Sequence, residues 1–246
     1  MLKHKHFAVI AALLGLVTAC SPAAAPIAPT AADKPVTAKD ATPPVAEDRY
    51  SLVMLGDSLT AGFGLAPDQD FPHIIQSDLD NRGRSITILN AGVSGDTSAA
   101  GLARFDWSVG PNANGVLIAL GANDMLNGLD PAQTRQNLVA MIKKAKARKL
   151  DVFLAGMRAA PNLGTTYGAK FDRIYADLAA QYCLPLYPFL MQPLASVDGA
   201  SINQNLIQRD GLHPTAAGAA RIGHALSDWL ASALESPHIP CSSDQH

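Results

Sequence analysis

The sequence predicts an α/β fold, a doubly wound parallel sheet with helices on both faces, and three observations predict it. Five short runs, residues 52–55, 86–89, 116–120, 152–155 and 184–187, are apolar apart from Thr87 and show no sustained alternation, the pattern of strands buried on both faces. Segments with a helical repeat of apolar residues lie between them, and alternation of strand and helix is what a parallel sheet requires. Finally, 246 residues with 48% hydrophobic and 16% charged side chains suit one domain with a sizeable core plus appendages. No internal repeat or second domain is visible.

The chain opens on processing signals. Residues 1–19 read as an export signal, in which Lys3, His4, Lys5 and His6 precede the apolar residues 7–19, a stretch too short to span a bilayer comfortably. Val17-Thr18-Ala19-Cys20 resembles a bacterial lipobox, so Cys20 is the expected lipidation site and the first residue after processing. Several acyl chains on one cysteine anchor stably where one chain does not. Ser21 stands where an aspartate would resemble an inner-membrane retention signal. The expected location is therefore the cell envelope, lipid-anchored, with the outer membrane as destination in a Gram-negative cell. Residues 20–48 carry this cysteine and a stretch of Ala, Pro, Thr and Lys with no hydrophobic period. Pro22, Pro26, Pro29, Pro35, Pro43 and Pro44 favour extended backbone, making a semi-rigid tether of about 3.1 Å per residue at full extension. The folded domain is expected over residues 49–236, followed by a tail over 237–246.

Within the domain, each of the first three apolar runs delivers a short polar motif, and a fourth motif lies near the carboxyl end. The first ends in Gly56-Asp57-Ser58-Leu59-Thr60-Ala61-Gly62. Open α/β sheets place ligand sites at the carboxyl ends of their strands, so Ser58 is the candidate nucleophile, and Gly56 frees the turn of a Cβ clash. The second run leads into Asn90-Ala91-Gly92-Val93-Ser94-Gly95-Asp96-Thr97, a glycine-rich turn opening into a helix, where free N–H groups can face an anion. The third exits through Gly121-Ala122-Asn123-Asp124. A helix over 137–149 then places Leu138, Met141, Ile142 and Ala145 on one face, and Phe171, Ile174, Leu178 and Tyr182 repeat the period in the helix after the fourth run. Asp210-Gly211-Leu212-His213-Pro214 leads into a closing helix over 215–234, with Ile222, Leu226, Trp229, Leu230 and Ala233 on one stripe and Pro214 suited to its first turn. His73 and His224 read as helix-face residues.

The residue types suit acyl transfer. A serine hydroxyl is a weak nucleophile until a base takes its proton, and histidine titrates near neutrality, so His213 is the natural base. Asp210, three residues earlier across a turn, can hold one ring nitrogen and leave the other facing Ser58. Pro214 biases His213 away from helical dihedrals and keeps its ring at the rim. Three donors are available to a developing oxyanion: the N–H groups of Ser58 and Gly95 and the side-chain amide of Asn123. A net charge of −2 without a basic run gives nucleic acid no electrostatic footing. Of the three cysteines, Cys20 is taken by the lipid, and no zinc-type cysteine spacing is present. Cys183, in an apolar stretch, reads as a buried free thiol, with a disulfide to Cys241 as the alternative.

Gly56-Asp57-Ser58-Leu59, Gly95 in Ser-Gly-Asp-Thr, Gly121-Ala122-Asn123-Asp124 and Asp210-Gly211-Leu212-His213 resemble the four blocks of the GDSL or SGNH hydrolases. Ser94-Gly95-Asp96-Thr97-Ser98 and Gly101-Leu102-Ala103-Arg104 most resemble its thioesterase I, lysophospholipase L1 and arylesterase branch. The resemblance implies a three-layer αβα sandwich of flavodoxin-like type around a five-stranded parallel sheet. It implies hydrolysis of carboxylic esters and thioesters through an acyl-enzyme, without metal or other cofactor. Ser58, Asp210 and His213 become the catalytic triad, and Ser58, Gly95 and Asn123 the oxyanion hole. Family members resemble one another in accepting acyl chains and aryl esters along a groove walled by loops after the third and fourth strands, here Met125, Leu126, Leu129, Met157 and Tyr167. Ala122 departs from the pattern, since relatives often carry a second glycine there, and it is expected to tighten the groove.

The expected partners are a small ester or lipid substrate and, through Cys20, a membrane; a monomer is expected. Three alternatives follow from the same residues. An O-acetylesterase acting on polysaccharide or peptidoglycan would share the triad. A non-catalytic, flavodoxin-like binding lipoprotein would leave it idle. Asp57, Asp96 and Asp124 could form a carboxylate cluster for metal or glycosidic chemistry, although Asp96 and Asp124 read better as supports of helix starts and loops.

Overall fold

A computed structural model of the chain describes residues 49–196 and 201–237. The expected export signal, Cys20, the tether, Cys241 and all but the first residue of the expected tail lie outside them. The chain runs through β1 (Tyr50–Gly56), α1 (Ser58–Ala61), α2 (Phe71–Asn81), β2 (Ile86–Gly92), α3 (Ser98–Ala103), α4 (Phe105–Ser108) and β3 (Gly115–Ala119). It continues with α5 (Ala122–Leu126), α6 (Pro131–Ala147), β4 (Asp151–Ala155), α7 (Thr165–Phe171), α8 (Ile174–Tyr182), β5 (Leu186–Tyr187) and α9 (Ala216–Ala233).

All five strands are parallel, in the order β2-β1-β3-β4-β5. The chain steps outward from β1 to β2, then returns past β1 to β3 and continues the other way. Because such crossovers are right-handed, that reversal moves the connecting helices to the opposite face and opens a crevice at the switch point. Accordingly α2 packs against β2 and α9 on one side, while α6 packs against α3, α8 and β4 on the other. Gly56 pairs in register with both Gly92 and Ala119, so β1, β2 and β3 end level. The loops that follow them therefore start from one line at the mouth of the crevice.

The fully buried Leu52, Met54 and Leu55 of β1 and Val116, Leu117 and Ile118 of β3 form the centre of the core. The strand limits shift by one to three residues from the apolar runs that predict them, and two of these shifts have a visible cause. β2 lies at the sheet edge and leaves Leu89 exposed, and it extends to Gly92 because β1 pairs with it that far. β5 shrinks to two residues, as Pro185 just before it has no N–H to donate.

Helix limits differ where a cap, not an apolar period, sets them. α6 starts six residues early because Asp130 accepts from Ala132 N–H at 3.0 Å and Pro131 fits the first turn. The helix expected through Phe171 and Ile174 is two helices, and the break holds Asp172, whose carboxylate accepts from Ala159 N–H at 2.7 Å. Thr215, not Pro214, begins the last helix, its hydroxyl accepting from Gly218 N–H; Pro214 instead bridges antiparallel to Ile207.

His73 lies on α2 within reach of Asp70 and Asp68, and His224 on α9 is paired with Asp78. Cys183 corrects the free-thiol reading: it is half-buried and disulfide-bonded, its partner lying outside the described residues.

Candidate active site

The turn after β1 is closely packed. A Cβ on Gly56 would lie 1.9 Å from Thr60 Oγ1, so only glycine lets α1 fold straight back over the strand end. Asp57, almost completely buried, caps α1 by accepting from Leu59 N–H at 3.0 Å. Burial pushes its carboxyl up to about 6, against the opposing effects of the Leu59 N–H and of His213. Ser58 takes the first helical position, where no carbonyl within the helix can accept its N–H.

Asp210 and His213 arrive by a longer route than the sequence suggests. After β5 the chain makes two single-turn helices, Gln192–Leu194 and Gln204–Leu206, before the bridge between Ile207 and Pro214 closes a loop around them. One Asp210 oxygen accepts from the N–H groups of Leu212 and His213, at 2.9 and 3.1 Å; the other meets His213 Nδ1 at 2.6 Å. The Leu212 N–H, the His213 ring and the His213 N–H together hold the Asp210 carboxyl at about 2. It is thus an ionised acceptor across the neutral range. An ionised carboxylate cannot donate, so in the neutral imidazole Nδ1 carries the proton and Nε2 keeps a lone pair. Nε2 lies 2.8 Å from Ser58 Oγ.

On the other flank, Gly95 adopts φ +87°, a left-handed turn, and lines the same cleft as Asn123. One Asn123 amide proton goes to Asp96 O at 2.9 Å, leaving the other for a second acceptor. Asp96 is paired with Arg104 Nε at 2.5 Å. Behind them Asp124 accepts from Ser98 N–H at 2.6 Å, from the Ser98 hydroxyl and from the Thr134 hydroxyl at 3.0 Å, tying α5 to the start of α3. Asp57, Asp96 and Asp124 are thus engaged separately, and among the described residues no three His, Cys, Asp or Glu side chains gather to hold a metal ion.

These groups surround a cleft of about 270 Å³. Met125, Leu126 and Met157 line it, with Ala122 beside Asn123. Leu129 and Tyr167 do not: the Tyr167 hydroxyl donates to Leu129 O at 2.9 Å, tying α7 to the loop after α5. Phe63, Met191 and Leu212 take their places in the wall. Phe63 also lies against the His213 ring, centroids 4.6 Å apart.

Sequence reasoning missed Gln208 as well. Its side-chain amide donates to Phe63 O and Pro214 O, both at 2.8 Å, and its N–H to His213 O at 2.7 Å. It therefore joins the loop after Ser58 to the loop that carries His213. Leu212 could have been found from its place inside the Asp210–His213 block. Gln208 and Met191 carry no signal of their own.

A serine, a histidine and a carboxylate thus stand in one hydrogen-bonded chain at the carboxyl end of a parallel sheet, beside an apolar cleft. Comparison with known proteins gives the class. The GDSL-like lipase/acylhydrolase family model matches residues 54–221. Esterase TesA of Pseudomonas aeruginosa is 38% identical over 173 residues, covering 70% of this chain and 83% of that protein. Thioesterase 1/protease 1/lysophospholipase L1 of Escherichia coli K12 is 32% identical over 186 residues, 75% of this chain and 83% of its own. The crystal structure of the psychrotrophic esterase EstA from Pseudoalteromonas superposes with a TM-score of 0.70 at 29% identity, covering 76% of this chain and 99% of that one. The chain belongs to the GDSL-like lipase/acylhydrolase family and is a carboxylic ester hydrolase of the SGNH type.

Proposed function

We propose that this enzyme hydrolyses esters and thioesters of apolar acyl chains through a serine acyl-enzyme. The hydrogen-bonded chain from Ser58 through His213 to Asp210, opening on the apolar cleft, carries the reading. Ser58 Oγ attacks the acyl carbon as its proton passes to His213 Nε2, and Asp210 steadies the imidazolium that results. The N–H groups of Ser58 and Gly95 and the free amide proton of Asn123 receive the oxyanion. His213 then gives its proton to the departing alcohol or thiol, and a water activated by the same nitrogen releases the acid. Met125, Leu126, Met157, Met191 and Leu212 offer the acyl chain apolar surface, which supports acyl groups longer than acetyl.

The lipobox-like sequence ending at Cys20 and the proline-rich stretch after it support an envelope lipoprotein held by a tether. Fatty-acid labelling of the full chain that persists in Cys20→Ala would refute the anchor. For the reaction, a fluorophosphonate probe labels the wild type and not Ser58→Ala, and a series of nitrophenyl esters shows its best kcat/KM at medium chain length. An unlabelled, folded wild type would instead make this a binding protein, and a sharp preference for acetate would make it an acetylesterase.

A further inference from the structure

Arg104, from the Gly101-Leu102-Ala103-Arg104 stretch, has no part in the chemistry above. Yet its largely buried guanidinium joins three chain segments: Nε donates to Asp96 at 2.5 Å, Nη2 to Gly56 O at 2.9 Å and Nη1 to Ser108 Oγ at 2.8 Å. Gly56 lies two residues before Ser58. Asp96 follows Gly95, and its main-chain oxygen accepts the Asn123 amide at 2.9 Å. We propose that Arg104 is a positioning residue for the oxyanion donors, holding the Gly95 turn and the Asn123 amide at a set distance from the Ser58 turn. The inference rests on the oxyanion reading above.

The geometry requires a guanidinium. Its planar fork fixes the Asp96 carboxylate and the Gly56 carbonyl relative to each other, whereas a lysine ammonium is a point charge on a flexible stem. Asp96 cannot move without moving both its neighbour Gly95 and the Asn123 amide bonded to it. Ion pairing alone is not the function of this contact, because the second partner is a main-chain carbonyl at the nucleophile's own turn. Arg104 does not line the cleft, so it touches no substrate and acts only through other residues.

Such a role predicts a specific pattern of kinetics. Misplacing a catalytic group by about 1 Å can cost on the order of 10²-fold in rate, and loss of one oxyanion donor costs about 10²–10³-fold. The test is a double-mutant cycle in kcat, each variant normalised by active-site titration with a fluorophosphonate. Arg104→Met is expected to lower kcat by roughly 10–100-fold with KM changed less than about threefold. In the Asn123→Ala background the same change should cost several-fold less than it does in the wild type, since one of the two donors it aims is gone and only the Gly95 turn is left to misplace. Asp96→Asn should behave as Arg104→Met does, and Arg104→Lys, the variant to use if Arg104→Met does not fold, should lose less kcat but show the same non-additivity. Losses that multiply in the double variant, or an unchanged kcat in Arg104→Met, overturn the inference while leaving the oxyanion reading intact. Full kcat in Asn123→Ala overturns that reading, and this inference with it.

Discussion

Replacing Asp57 with asparagine isolates the effect of a carboxyl buried beneath the nucleophile. The side chain is 1% exposed, and burial raises its pKa from the ordinary 3.8 to about 6. Each unit is worth about 1.4 kcal/mol, so a shift of about two units corresponds to roughly 3 kcal/mol of folding free energy. The folded chain holds this proton more tightly than the unfolded chain does. The contribution is therefore complete below about pH 4 and lost as pH rises through about 6. Asparagine keeps the shape, stays neutral and can accept the Leu59 N–H bond through its own Oδ1. The stability of Asp57→Asn relative to wild type should thus rise by about 2–3 kcal/mol between about pH 4 and pH 8. Asp210, lowered to about 2 with the opposite pH dependence, is present in both proteins and cancels. Equilibrium urea denaturation of both across that range measures the difference. A difference that is flat with pH, or that falls as pH rises, refutes the assignment of a buried, proton-holding Asp57.

Two further substitutions probe the strand exit and the cleft. The buried Tyr175 hydroxyl donates to Leu120 O at 2.8 Å, just before Gly121 and Asn123. Tyr175→Phe should destabilise the fold by about 1–2 kcal/mol, by stranding that carbonyl, and thermal unfolding within experimental error of wild type would show that the carbonyl finds another donor. Leu126 lines the cleft and is 47% exposed, so about half of its ~2 kcal/mol of apolar burial is available to a substrate. Leu126→Asn should lower kcat/KM for an octanoyl ester by about fivefold relative to the acetyl ester; equal losses on both esters would remove Leu126 from the acyl wall.

What could be read in the sequence follows from how tightly chemistry restricts residue type. Strands β1, β3 and β4 announce themselves because both faces are buried, which leaves no room for polar positions. Ser58, His213 and Asp210 stand out in the sequence because only a few side chains could serve as nucleophile, base and orienting carboxylate; in the fold, the level ends of Gly56, Gly92 and Ala119 align the Ser58 and Gly95 turns. Walls are different. Any apolar side chain can line a cleft, so Leu129 and Tyr167 fit as well as Phe63, Met191 and Leu212 until the loops are folded, and the bond between Tyr167 and Leu129 shows where they actually go. The hardest residues to read are those defined by partners far away in the chain: Arg104 meets Gly56 across 48 residues and Gln208 meets Phe63 across 145. Neither needs a special local sequence, since an arginine or a glutamine in a turn looks the same whether it faces water or two distant partners. Yet these two span the gaps between the three segments that carry Ser58, Gly95 and His213. Strand register brings the Ser58 and Gly95 turns to a common edge, but it cannot set their spacing to a fraction of an ångström, nor can it reach the His213 loop, which lies outside the sheet. Side-chain forks that bond two chain segments at once can do both, so the accuracy of this site depends on residues that carry no chemical signature of catalysis.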